Sequence, residues 1–372
     1  MEEKEHLTVK QKVAQYFKTL PKRYFITAFS GMAQGLFVTL IAGTILAQIA
    51  GWINKIGDGN YVGNTLLYIA NIAKSLMGAG IGVGIAHALG KHKLLTFSAA
   101  VAGMVGAFSD KLMVGAEPFK VLTLSAPGNP IGAYVVTMLV VEIVGLYAGK
   151  TKLDILLVPL GALVLSLGGV FAAYPFVEFV DLLGKGIEKA TAITPFVMGI
   201  VIAVVMGILL TMPTSSAAIW MSFAANNESS AMLIAGGAAT VGCACHMIGF
   251  AVASYRENKI GGLISQGVGT SMLQIPNIMK KPVIMLPMII SSAICGPLAT
   301  CVFGLKCGAS GGGMGTSGLV GVFNSFDYTS GALGYVGIIL LMFVLPALLN
   351  IVIPELMRKK GWIKDGDMKL DL

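Results

Sequence analysis

Residues 24–53, YFITAFSGMAQGLFVTLIAGTILAQIAGWI, run for thirty positions without an Asp, Glu, Lys or Arg. A helix rises about 1.5 Å per residue, so roughly 20 apolar residues cross the roughly 30 Å hydrocarbon core of a bilayer, and this run is long enough to do so. It is too long for the core of a cleavable signal peptide and no small-residue cleavage site follows a short core, so it is expected to stay as an anchor. The whole chain has the same character. Of its 372 residues 55% are hydrophobic and 12% charged, too few polar side chains to cover a soluble fold of this size. Its 48 glycines suit close helix packing and interrupted helices rather than barrel strands. The fold class expected is an all-α integral membrane protein of about ten transmembrane helices, with broken helices and re-entrant segments.

The apolar runs predict spans at 24–53, 64–90, 94–109, 131–149, 154–175, 196–222, 230–254, 260–275, 283–305 and 332–357. Residues 1–23 then form an N-terminal segment, 24–357 the membrane domain and 358–372 a C-terminal tail. Lys10, Lys12, Lys18, Lys22 and Arg23 precede the first span, and Arg358, Lys359, Lys360 and Lys364 follow the last, which predicts cytoplasmic ends. An even number of spans also puts the basic clusters at 91–93, 150–152 and 279–281 inside, leaving only YRENK (255–259) on the other face. This basic excess accounts for the net charge of +8, and without a basic soluble domain no nucleic-acid partner is expected. The third and eighth spans are short, and each precedes a polar segment containing proline, SDKLMVGAEPFK and LQIPNIMKKP. That correspondence suggests two inverted halves, 24–190 and 196–357, with a site near the midplane where broken helices meet.

Three irregular stretches fall among the spans: GAEPFKVLTLSAPGNPIGAY (115–134), TMPTSSAAI (211–219) and GASGGGMGTSGLVG (308–321). Unpaired peptide groups in lipid cost several kcal/mol each, so at membrane depth such backbone must be buried in protein or line a wet cavity; otherwise these are ordinary loops. Other motifs fail. In GCACH, Cys243 and Cys245 point to different helix faces and no second ligand cluster accompanies them, so no metal is expected. The five cysteines form no disulfide frame. GAGIGVGIAHALG (78–90) follows no strand, which rejects a nucleotide fingerprint; small residues spaced for helix packing explain it. No cofactor is implied.

The runs MPTSSAAIWMSF (212–223), GGAATVGCACHMIGFAVASYRENKIGGLISQGVGTSMLQIPNIMKKP (236–282), GPLAT (296–300) and GMGTSGLVG (313–321) resemble the EIIC membrane component of the bacterial phosphotransferase system (PTS), in particular its divergent PfoR-type branch. The likeness runs from GMAQGLFVTLIAGTILAQI at Gly31 to the last span. It implies a sugar-transporter fold of about ten spans in the bacterial plasma membrane, usually a homodimer. It also implies a permease that moves a small polar solute, a sugar by preference, and that is not itself an enzyme. No EIIA or EIIB domain is seen here and fewer than twenty residues follow Glu355, without a cysteine, so phosphorylation would need separate EIIA and EIIB partners. The alternative is a PfoR-type membrane regulator that binds a ligand with little transport. In sugar EIIC proteins a Glu in a Gly-x-Thr-Glu-Pro signature and a His contact the sugar. The nearest match here is GAEP with Glu117, in the first half, where Ala116 replaces the Thr.

Carboxylates, amides, hydroxyls and imidazoles suit sugar hydroxyls, and a polar residue within a membrane is a functional candidate. The candidates are Glu117, Asn129, Thr214, Ser215, Ser216, His246, Asn258, Gln274, Thr316 and Ser317. Glu117 could equally pair with Lys111 or Lys120 in a solvated loop, His246 could make an interhelical hydrogen bond, and Asn129 before Pro130 could shape a turn. Glu142, within the fourth span, is expected to pair with another buried polar group.

Overall fold

The computed structural model describes residues 19–20, 22–56, 60–109, 112, 129–212, 216–224 and 227–370. Their regular elements are all helical: α1 (22–56), α2 (Tyr61–Ser75), α3 (Met77–Ala88), α4 (Lys93–Ala107), α5 (Pro130–Val144), α6 (Asp154–Ile193), α7 (Pro195–Thr211), α8 (Ser216–Ala224), α9 (Ser230–Ala253), α10 (Tyr255–Ile264), α11 (Ile275–Lys280), α12 (Pro282–Val302), α13 (Val320–Tyr328) and α14 (Ala332–Lys359). Starts carry recognisable caps. Asn60 accepts from Val62 N, Ser229 from Met232 N, and Asn129, followed by Pro130, from Ile131 N and Gly132 N.

Among the described residues five helices are long and apolar enough to cross a bilayer, or six if α2 and α3, which meet at 52°, form one bent span. Three shorter apolar helices, α4, α5 and α7, have 15, 15 and 17 residues. Two expected boundaries are corrected. The span expected at 260–275 is not a continuous helix: after α10 the chain makes a π turn at Ser265–Gly269 and a 3-10 turn at Ser271–Gln274. Four glycines between 261 and 269 weaken helix there, and the buried Gln266 and Gln274 take bonds outside it. The helix expected to end at 175 instead runs through Pro159 and Pro175 as the 40-residue α6. Proline removes one backbone donor but not the apolar stripe of Phe171, Phe179 and Leu182, all exposed, that continues past it. At about 1.5 Å per residue, α6 is roughly twice as long as a bilayer core is thick.

Glycine sets the packing of the first half. In α3, MGAGIGVGIAHA, Gly78 and Gly82 lie four apart against α4, while Gly80 and Gly84 lie against α1. A Cβ on Gly78 would stand 2.6 Å from Gly103 O, and one on Gly80 would stand 2.7 Å from Gly35 O. The alternating glycines therefore serve two neighbours at once. In the second half Gly242 of α9 meets Ala203 of α7, and Gly199 of α7 meets Gly296 of α12. One apolar cluster joins Met32, Leu36 and Leu40 of α1 and Ile81 of α3 to Ala218 and Met221 of α8, so the short α8 ties the halves together.

At one end of the first half, Arg23 donates to Glu142 Oε1 from Nε and Nη2 at 3.0 and 2.7 Å, and Lys91 Nζ lies 3.9 Å from Oε2. Glu142 thus finds the polar partners expected of an acid in a membrane helix. Burial lowers the Lys91 pKa, Glu142 opposes this, and Arg23 adds to it.

Candidate functional site

A cavity of about 630 Å³ lies between α1 and three breaks in the second half. On the α1 side it is bounded by Ile26, Ser30, Ala33, Gln34, Leu36 and Phe37, the last opening the π turn Phe37–Ile41. Facing them are Leu210 at the end of α7, Ser216 and Ala217 at the start of α8, Val268, Gly269, Thr270 and Met272 of the π and 3-10 turns, and Met314, Ser317 and Gly318 of the glycine turn. The wall is largely apolar, with Ser30, Gln34, Ser216, Thr270 and Ser317 supplying hydroxyls and an amide. Binding sites for small molecules are commonly of this size, with few polar groups fixing orientation.

The glycine turn is held in place by its own bonds. Ser216 Oγ donates to Gly313 O at 2.7 Å, Thr316 Oγ1 to Gly267 O at 2.6 Å and Ser317 Oγ to Gly269 O at 2.9 Å. Asn324 Oδ1 accepts from Gly308 N at 2.7 Å. Gly313 and Gly315 have φ of +80° and +57° and press on α8 and α9, so both conformation and space demand glycine. The three breaks thereby brace one another: α7/α8 on the glycine turn, and the glycine turn on the π turn.

Behind this wall stands His246 of α9, fully buried. Its Nδ1 lies 3.0 Å from Thr211 Oγ1, which lies 2.9 Å from Ser271 Oγ, between the cavity residues Thr270 and Met272. His246 Nε2 has no partner, and its ring fills the space opened by Gly207. The imidazole there supports the wall through two hydroxyls.

The sequence candidates therefore separate. Ser216 and Ser317 line the cavity, Thr316 fastens the turn behind it, and His246 supports it. Asn129 caps α5; its Nδ2 is buried without a partner, and its backbone N donates to Ala107 O at 2.7 Å, where α4 ends. Residues 110–111 and 113–128, with Glu117, lie outside the described residues, as do Thr214 and Ser215. The points of departure and return, Ala107 and Asn129, adjoin the apolar cluster that contains Leu36 of the cavity wall. Asn258 and Gln274 are elsewhere: both bond to the segment after α14.

Sequence reasoning passed over Ser30, Gln34 and Thr270. A signal existed for the first two: Ser30 and Gln34 lie four apart, on one face of an otherwise apolar helix. Thr270 had none, because it reads as part of an apolar span.

No group of three or more His, Cys, Asp or Glu side chains placed to hold a metal occurs among the described residues. A family model described as "Phosphotransferase system, EIIC" matches residues 26–370, nearly the whole chain. Neither the curated proteins nor the solved structures searched gave a match.

Proposed function

The chain belongs to the phosphotransferase-system EIIC family, the membrane transport component of that system, and we propose that it binds its solute in the cavity between α1 and the broken helices of the second half. The observation that carries this is convergence. A π turn of α1, the α7/α8 break, the π and 3-10 turns at 265–274 and the glycine turn all meet at one cavity. Helix breaks at membrane depth free peptide groups that water or a hydroxylated solute satisfies, and transporters place their sites at such breaks.

The solute we infer is a neutral sugar. Gln34 and Thr270 can donate and accept, and the Ser216 and Ser317 hydroxyls, whose protons go to Gly313 O and Gly269 O, can accept, the mixture that vicinal hydroxyls need, while Phe37 and Met272 suit a ring's C–H faces. No carboxylate lines the described wall. Glu117 would be added from 113–128, whose flanking residues adjoin the same cluster as Leu36, and would strengthen binding by a charge-assisted bond. Transport would follow from rocking of the halves 24–190 and 196–357 about the cavity, with separate EIIA and EIIB proteins phosphorylating the solute. The same reading takes the protein as a homodimer in the bacterial plasma membrane with cytoplasmic ends, as the basic residues at 22–23 and 358–360 favour.

A thermal-shift screen of sugars and other small polar solutes on the purified protein, followed by Gln34→Ala, Thr270→Ala and Glu117→Gln, tests this. Stabilisation by a sugar that is lost in the first two variants is the expected result. A ligand that stabilises all three variants as it does the wild type overturns the site assignment. Uptake into proteoliposomes then separates transport from binding alone.

A further inference from the structure

Beyond α14 the chain turns back at Gly361 (φ +74°) and again at Gly366 (φ +95°), and lies along residues 254–281. Its contacts are those of a bound peptide. Asn258 reads the backbone from both sides of Lys369: Nδ2 donates to Met368 O at 2.8 Å and Oδ1 accepts from Leu370 N at 2.8 Å. Gln274 Nε2 donates to the same Met368 carbonyl at 3.0 Å, and Asn277 Nδ2 to Lys369 O at 2.8 Å. Glu257 Oε1 accepts from Gly366 N at 2.9 Å, and Lys281 pairs with Asp367 at 2.6 Å. Ile363 and Met368, 2% and 0% exposed, are the apolar anchors, packed with Phe250, Ile278 and Met288. Amides that bond a neighbour's main chain, with pockets for alternate side chains, are how proteins bind extended peptides.

This clamp is continuous with the cavity wall. Gln274 donates also to Gln266 Oε1 at 2.9 Å, and Gln266 in turn to Ser254 Oγ and Gly262 O, all buried. Gln266 lies within the π turn Ser265–Gly269 that supplies Val268 and Gly269 to the cavity and accepts the Thr316 and Ser317 hydroxyls. Next to Asn258, Lys259 has φ 52° and ψ −150°, a conformation an L residue holds only when its surroundings impose it. The bonds from Asn258 to the folded-back segment are such an imposition.

We propose that residues 254–281 are a peptide-binding clamp whose ligand is the chain's own segment 361–370, and that its occupancy holds the 265–274 wall of the cavity in place. Release of the segment takes from Gln274 its bond to Met368 O, loosens the Gln274–Gln266 contact that depends on it and lets the π turn open. Only the consequence for solute binding rests on the function proposed above.

The test uses two full-length variants, Met368→Ala, which removes a buried anchor, and Asn277→Ala, at a half-buried position, which removes the bonds to Lys369 O and Gln274 Oε1 without emptying an apolar pocket. Each is combined with Cys301→Ser, which removes the exposed native thiol, and Ser317→Cys, which reports cavity access. Maleimide labelling at position 317 and amide exchange over 265–274 are expected to rise about tenfold, the effect of losing one such bond, with α9 exchange unchanged. A chain ending at Lys360 should show the same rise, reversed by a synthetic peptide of residues 361–372. Wild-type labelling and exchange in both full-length variants, or a rise that the peptide does not reverse, overturn the clamp. Faster labelling with unaltered binding of a stabilising sugar leaves the clamp standing and refutes the cavity as the solute site.

Discussion

Replacing Gly78 by Ala tests whether glycine sets the helix spacing of the first half. Its Cβ would lie 2.6 Å from Gly103 O and 2.8 Å from the Ala107 Cβ, where ordinary contact begins at 3.4 Å. Helix α3 would have to retreat from α4 by about 0.8 Å, the difference of 3.4 and 2.6. It cannot retreat freely, because Gly80 and Gly84 on another face already meet the carbonyls of Gly35 and Gly31 of α1. Overpacking of this kind costs about 1–3 kcal/mol, against which the better helix propensity of Ala returns up to about 1 kcal/mol. A net loss of about 1–2 kcal/mol is expected. Gly168→Ala in α6 is the matched control: nothing lies within 4 Å of its Cβ, so only the propensity gain remains. Unfolding in mixed micelles of mild detergent and SDS, followed by circular dichroism, should place the two variants on opposite sides of the wild type, about 2–3 kcal/mol apart. Equal midpoints, or Gly168→Ala the weaker, would refute the packing argument.

Glu142→Gln leaves Arg23 and Lys91 without their shared partner and should cost about 1–2 kcal/mol in the same titration, an effect that Arg23→Ala made together with it should not enlarge. His246→Ala empties a buried site and is expected to lower stability by about 2–4 kcal/mol, while weakening binding of a stabilising sugar less than Gln34→Ala does; the reverse order would place the imidazole in the cavity. Asp367 gives a pH dependence: burial raises its carboxyl, but hydrogen bonds from Lys281 and the Lys364 backbone outweigh this and hold it below the ordinary value. A folded pKa below the unfolded one stabilises fully above about pH 4 and is lost as pH falls through the folded value. Amide exchange within 363–370 should therefore keep its protection from pH 8 down to about 5 and lose part of it in more acid solution, and Asp367→Asn should abolish that step.

The membrane class and most helices were legible because lipid asks one simple thing of a sequence, a long run without charge, and residues 24–53, 230–254 and 332–354 supply it. Two boundaries were not, for opposite reasons. At Pro175 a local breaker was outweighed by an apolar stripe that continues beyond it; at 260–275 an apolar run is broken by glycines and by glutamines that find partners only in the folded chain. Hydropathy averages over both.

The site was half legible, and the division follows from what a hydrogen bond requires. A sequence shows that Asn258, Gln274 and His246 are polar within membrane-like surroundings and must be satisfied, but not by what. The answer depends on residues far away in the chain: Met368 is 110 positions from Asn258, and Thr211 is 35 from His246. Ser216 and Ser317 could be picked out because proline or glycine beside them announces a break, and a break in lipid needs a polar surrounding wherever it falls. Gln34 and Thr270 also stand beside glycines, Gly35 and Gly269, but inside runs that read as unbroken apolar spans, so the neighbouring glycine announces nothing. They become cavity residues only because α1 is drawn against the second half through Leu36 and α8, a contact that no local pattern encodes. For a transporter this follows from alternating access: a wall built from separate parts of the chain can part and close around a solute, and residues from one continuous helix could not.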